Sequence, residues 1–166
     1  MINRAVVRNG RPYPPASVDE LEILPGVPGA LARLRAAGYA LVVVTNQPDI
    51  ARGATTREAV DAIHARLRTL LALDDIRVCP HDDADQCACR KPKPGLLLRE
   101  PAHDMAASVM VGDRWRDVEA GRAAGCGLTI LVDYGYDEAV PYEPDARVRS
   151  LAEAADWLLA RDVARG

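Results

Sequence analysis

An α/β fold with a mostly parallel sheet and helices on both faces is predicted by three observations. Short, largely apolar runs, rich in Val, Leu and Ile, recur at 40–44, 76–78, 108–111 and 128–132, the first of them unbroken. Stretches of helical period separate them, which is the pattern of a parallel sheet. Polar clusters follow the runs at their carboxyl ends, where open α/β sheets bind ligands. A length of 166 residues suits one domain with a sizeable core, so residues 1–166 are expected to form a single unit.

Taken in order, residues 1–27 contain Gly10, Pro12, Pro14, Pro15 and Pro25 and are expected to be loop, with room for a short extended piece at 5–8. Leu31 and Leu34 then stand at helical spacing in 28–37, a helix stopped by Gly38. The run 40–44 is apolar without interruption and predicts a strand buried on both faces. Thr55-x-x-Glu58 has the form of a capping box. It should open a helix to about residue 73, with Ala59, Ile63, Leu67, Leu70 and Leu71 on one face and His64 as an ordinary surface or half-buried residue. A short strand at 76–78 feeds the loop 79–94.

Pro94-Gly95 predicts a helix through about residue 100, with Pro101 expected to end or kink it. A strand at 108–111, a small-residue helix at 117–124 and a strand at 128–132 come next. Tyr134-Gly135-Tyr136, Pro141 and Pro144 belong to a loop. Ser150 caps a last helix to about residue 160, with Leu151, Ala155, Leu158 and Leu159 inward.

Bulk properties exclude several functions. A net charge of −3 and a pI of about 5.6 argue against a nucleic-acid partner, which selects for a basic excess. With no Phe in the chain, the core must be built from Leu, Val, Ile and Ala. No run is apolar and long enough to span a membrane, and the N-terminus lacks the apolar stretch of a secretory signal. Three of the four cysteines sit in one cluster, which fits a reducing compartment and predicts a cytoplasmic protein. The fourth, Cys126, is expected to be a small core residue.

That cluster is Cys79, His81, Cys87 and Cys89, a C-x-H-x5-C-x-C array. Thiolate and imidazole are preferred zinc ligands, and four of them close a tetrahedral structural site. The alternatives are a disulfide or free cysteines that happen to be close. Arg90 and Lys91 follow the last ligand directly, so a metal-pinned loop ends in two cations.

Three polar clusters therefore share one sheet edge: Thr45-Asn46-Gln47, Arg90-Lys91, and Asp113 with Asp117. Hydroxyl, amides and cations together suit phosphate oxygens. The two aspartates, four apart across a strand-to-helix turn, can take Mg²⁺.

The stretches LVVVTNQ, IARG, CPH…CACRKPKPG and MVGDRWRDVEAG resemble the haloacid dehalogenase superfamily of phosphatases, with a Rossmann-like fold. Within it they resemble the zinc-loop branch that includes D-glycero-D-manno-heptose 1,7-bisphosphate 7-phosphatases and histidinol-phosphate phosphatases. The resemblance runs from about Asn3 to Val132. It implies that Thr45 binds the transferred phosphoryl group, Lys91 neutralises it, Asp113 ligates Mg²⁺ and Asp117 orients the site through Lys91. Asn46, Gln47, Arg90 and Arg114 would contact substrate. The partner would be a small sugar phosphate, with heptose bisphosphate favoured over histidinol phosphate by the CRKP run, and a monomer is expected.

The pattern departs from the family at its start. Family members open on a strand ending in Asp-x-Asp-Gly, whose first Asp attacks phosphorus and whose second is the acid and base. Here Ile2-Asn3-Arg4 match the residues that follow that motif. The first, central strand and both aspartates are thus expected to be missing, through a truncated chain or a misplaced start. Without its nucleophile the chain as given is expected to be inactive. A non-catalytic phosphate-binding zinc protein is the alternative. Asp82, Asp83 and Asp85 are expected to be solvated turn residues of the metal loop.

Overall fold

The computed structural model describes residues 1–8, 11–99 and 102–164. Two short strands, β1 (Val6–Arg8) and β2 (Arg11–Tyr13), pair antiparallel, and Asn3 bridges Ile23, so much of the expected N-terminal loop is paired backbone. Pro12 is tolerated because the ribbon has only two strands and its missing N–H can face outward.

Helix α1 (Val27–Ala36) keeps Pro28 in its first turn, behind Gly26 at φ 80°. Strand β3 (Val42–Asn46) lies two residues later than expected. The Leu41 N–H donates to the Asp74 carboxylate at 2.7 Å, and the Leu41 carbonyl accepts from Asp74 N–H, so this end is tied to a loop rather than to a strand. All five residues of β3 are half-buried, not buried on both faces.

After a short turn of helix, α2 (Pro48–Ala51), comes α3 (Arg57–Leu70). Its cap is Thr56 and not Thr55: Thr56 Oγ1 accepts from Ala59 N–H at 3.2 Å, while Thr55 N–H donates back to the Asp49 carbonyl. The buried face is Val60, Ile63 and Leu67, with Leu70 exposed and Leu71 buried just past the end.

Strand β4 (Asp75–Cys79) leads into the metal loop. The helix expected from Pro94 is a series of turns. The carbonyls of Leu96 and Leu97 accept from the buried Arg77 guanidinium, and Gly95 N–H donates to the Ala88 carbonyl, so the helical ladder is replaced by cross-links to β4 and the loop. The expectations at Glu100 and Pro101 lie outside the described residues. Then follow β5 (Val109–Gly112), α4 (Trp115–Ala124), β6 (Leu128–Val132), β7 (Ala146–Val148) and α5 (Leu151–Val163). Ser150 caps α5 by accepting from Glu153 N–H.

The parallel strands fall into two sheets, β3-β4 and β5-β6-β7. Helices cover both faces. Val109 and Val111 pack with Leu31, Leu34, Leu151 and Leu158 of α1 and α5, whereas Met110 points to Ala120 and Ala124 of α4, the alternation a strand imposes. Gly121 permits α4 to sit close, since a Cβ there would lie 2.5 Å from Met110 Cβ. Among the described residues no strand pairing joins β3 to β5. Between them runs a cavity of about 280 Å³. Its base is apolar, lined by Leu31, Leu34, Leu41 and Leu158, and its mouth is polar, lined by Thr45, Lys91, Asp113 and Asp117.

Candidate active site and metal-binding loop

Lys91 joins the two sheets at that mouth. Its Nζ donates to the Val44 carbonyl of β3 at 2.7 Å and to Asp117 Oδ1 of α4 at 2.6 Å. Both side chains are nearly buried, at 10% and 8% exposure, so the pair is screened little. An ammonium has three donors, and the third remains for an anion in the cavity. The peptide groups of Lys91 are held as firmly: its N–H donates to Asn46 Oδ1 and its carbonyl accepts from Asn46 Nδ2, both at 3.0 Å.

Asn46, named from the sequence as a substrate contact, therefore has its amide engaged with the Lys91 backbone. Gln47 Nε2 donates to Thr45 Oγ1 at 3.2 Å, which orients the hydroxyl at the end of β3.

Asp117 is bonded at both oxygens. Its second oxygen accepts from Arg114 N–H at 3.1 Å, closing the first turn of α4. Each Asp117 oxygen therefore carries one hydrogen bond. Asp113 lines the cavity, and its recorded partner is the Met1 ammonium at 3.4 Å. Gly112 is required here because a Cβ would lie 2.1 Å from Asp117 Cβ.

The loop after β4 gathers Cys79, His81, Cys87 and Cys89 with all ligand atoms within 4.8 Å of one another. Five of the separations lie between 3.2 Å (Cys79–Cys89) and 3.7 Å (Cys79–Cys87). A tetrahedron with metal–sulfur bonds of about 2.3 Å has edges of about 3.8 Å, so the donor set fits a four-coordinate ion. Cys79 is wholly buried, and burial, with hydrogen bonds to its neighbours, pushes its thiol up to about 12. Cys87 goes the other way. Although burial opposes it, hydrogen bonds from the Arg90 backbone, the Cys89 thiol and other near neighbours hold it at about 7. Lys93 Nζ donates to the Gln86 and Cys87 carbonyls and ties off the loop.

Asp82 and Asp83 are turn residues as expected, Asp83 being 66% exposed, and they also carry ion pairs that the sequence did not reveal. Asp82 binds Arg52 through two bonds of 2.7 and 2.8 Å, and the Arg52 guanidinium holds its carboxyl at about 2. Asp83 accepts from Arg90 Nε at 2.7 Å and lies 3.6 Å from Arg116. Arg90 also donates to the His81 carbonyl. These two aspartates thereby tether α2, the loop and α4 at one point. Their adjacency to His81 was visible in the sequence, but their partners are up to 33 positions away and left no local signal.

Arg114 turns toward the stretch after β6, where it pairs with Glu138 and lies over the Tyr136 ring at 5.1 Å. Among the described residues, no helix is long and apolar enough to cross a membrane.

A cation-lined cleft at the carboxyl ends of parallel strands, with a strand-end hydroxyl and an accessible aspartate, defines a phosphoryl-handling α/β hydrolase. A family model described as haloacid dehalogenase-like hydrolase matches residues 10–125. The chain belongs to that family, and by family it is a phosphatase. It is similar to the D-glycero-beta-D-manno-heptose-1,7-bisphosphate 7-phosphatase of Escherichia coli K12, with 41% identity over 157 residues, 86% of this chain and 78% of that protein. The Pseudomonas aeruginosa protein of the same name is 42% identical over 127 residues, covering 72% and 71%. Among solved structures, the D,D-heptose 1,7-bisphosphate phosphatase of B. bronchiseptica, complexed with magnesium and phosphate, aligns with a TM-score of 0.77 at 37% identity over 88% of each chain.

Proposed function

We propose that this protein is a Mg²⁺-dependent phosphomonoester hydrolase that removes the 7-phosphate of D-glycero-D-manno-heptose 1,7-bisphosphate. The observation that carries the reading is the buried Lys91 ammonium, fixed between Val44 and Asp117 with a donor to spare, beside Thr45 and Asp113. Its relatives of that name in Escherichia coli and Pseudomonas aeruginosa support the choice of substrate.

In this reading Lys91 and Thr45 bind the transferred phosphoryl oxygens. Asp113 holds Mg²⁺, a cation usually bound by one or two carboxylates plus waters and phosphate. When bound, that ion would neutralise charge that develops on the phosphoryl oxygens. Cys79, His81, Cys87 and Cys89 hold Zn²⁺, which fixes the loop that presents Lys91.

The attack itself belongs to a carboxylate that these residues do not supply. Asp117 is committed to Lys91 and to the Arg114 backbone, and Asp113 is the cation ligand. The cavity between β3 and β5 has the place and lining of a parallel strand, flanked by two strands that lack a partner on that side. We infer that a strand ending in Asp-x-Asp-Gly fills it in the working enzyme. The 166-residue chain alone would then bind phosphate without turnover.

The test compares phosphate release from heptose 1,7-bisphosphate by the chain as given and by a form extended upstream by one strand plus the motif, about ten residues. Turnover in the extended form with Mg²⁺, lost on chelation, is expected. No turnover in the extended form with both metals present would sink the reading.

A further inference from the structure

The segment 133–138 leaves the carboxyl end of β6, the strand paired in parallel with β5, and so lies at the sheet edge that carries Asp113. Its shape is set locally. Gly135, at φ 71°, donates its N–H to the Asp133 carboxylate at 2.8 Å, and Glu138 N–H donates to the Tyr136 carbonyl at 2.8 Å. This brings Tyr136 and Glu138 onto one guanidinium. The Arg114 carbon lies 5.1 Å from the centroid of the Tyr136 ring, and Glu138 pairs with Arg114 Nη2. Tyr134 supports Tyr136 edge-on, with centroids 6.0 Å apart.

Arg114 is thus fixed at both ends. Its backbone N–H is held by Asp117, the carboxylate that also holds Lys91, and its head group by a ring and a carboxylate. One of its five donors goes to Glu138. No described hydrogen bond uses Nε, Nη1 or the other Nη2 hydrogen, so one edge, Nη2 with Nε or Nη2 with Nη1, stays open for bidentate contact with a phosphate. The two cations also differ in depth. Lys91 is 10% exposed, at the mouth of a cavity, while Arg114 is 49% exposed one residue beyond Asp113. A ligand with an anionic group at each end would meet one cation at the mouth of the cavity and the other on the surface beyond it.

We propose that 133–138 is a specificity element, in which Tyr136 and Glu138 are positioning residues that hold Arg114 as the receptor for the second, non-transferred phosphate of the substrate. This rests on the sugar-bisphosphate reading above. A lone surface arginine would have to be ordered on binding, whereas here its planar group is already stacked and paired.

Calorimetric titration of the 166-residue chain with Mg²⁺ tests this without needing turnover, using heptose 1,7-bisphosphate and heptose 7-phosphate as probes. Tyr136→Ala and Glu138→Ala should each weaken the bisphosphate by about fivefold or more and leave the monophosphate within about twofold. Tyr136→Phe should match the unaltered chain, because the ring face is retained. If the Ala variants bind both probes as the unaltered chain does, or lose both equally, the assignment is overturned while the phosphatase reading stands. If the unaltered chain binds neither probe, the assignment falls, and turnover by the extended form decides the phosphatase reading separately.

Discussion

Lys91 and Asp117 lie 2.6 Å apart across the mouth of the cavity, nearly buried, and each is also bonded to backbone: Lys91 to the Val44 carbonyl and Asp117 to the Arg114 N–H. Removing one partner of such a pair leaves the other charge uncompensated. Asp117→Ala should cost about 3–5 kcal/mol in urea unfolding. Lys91→Met should cost less than Asp117→Ala, since the carboxylate keeps its bond from Arg114, and it should abolish phosphate binding measured by calorimetry.

Gly112→Ala should disturb the same pair from behind. The new methyl would lie 2.1 Å from Asp117 Cβ, and the contact is with the first atom of a side chain held at both oxygens. We expect destabilisation of about 1–3 kcal/mol, the usual range for overpacking. Weakened phosphate binding should accompany it, whereas Gly29→Ala, which meets nothing within 4 Å, should leave binding unaltered.

Metal removal should loosen the active-site loop. The four side chains would be drawn together by the ion, so chelation or Cys89→Ser should lower the melting temperature and raise amide exchange across the loop 79–93. Elemental analysis should find one zinc per chain in the unaltered protein and none in Cys89→Ser.

Asp74 gives a pH signature away from the metals. The Leu41 N–H it accepts, and then the Arg35 guanidinium beside it, hold its carboxyl below the usual carboxylate range. Its stabilising contribution is therefore full above the unfolded value, about 3.9, and is lost as pH falls through the lower folded value. The stability gap between the unaltered chain and Asp74→Ala should be widest at neutral pH and close below about pH 4. Urea midpoints of both proteins at pH 7 and pH 3.5 check this, and a gap that widens in acid would contradict it.

The parallel α/β layout was legible because buried strands need mostly apolar runs; 128–132 was placed to the residue, Thr129 included. The convergence of Cys79, His81, Cys87 and Cys89 was legible because their spacing within one loop brings them together without help from distant chain. The shift of β3 was not, because it depends on Asp74 reaching back 33 positions to Leu41. Nor was the failure of the 94–100 helix. Its local signal was sound, but Arg77, buried from β4, takes the carbonyls that a helix would have used. Asn46 was read as a ligand contact, and only three-dimensional proximity reveals that its amide also clamps the Lys91 backbone.

The reciprocal clamp of Asn46 on Lys91 bears on the entropy of binding. A free lysine side chain gives up about 1.5–2 kcal/mol of rotamer freedom when it is ordered. Here that loss occurs during folding: both peptide groups are pinned by one amide, and Val44 and Asp117 fix the far end of the chain. An incoming anion therefore meets an ammonium that has no conformational freedom left to surrender, and the attraction between them is not offset by ordering the lysine.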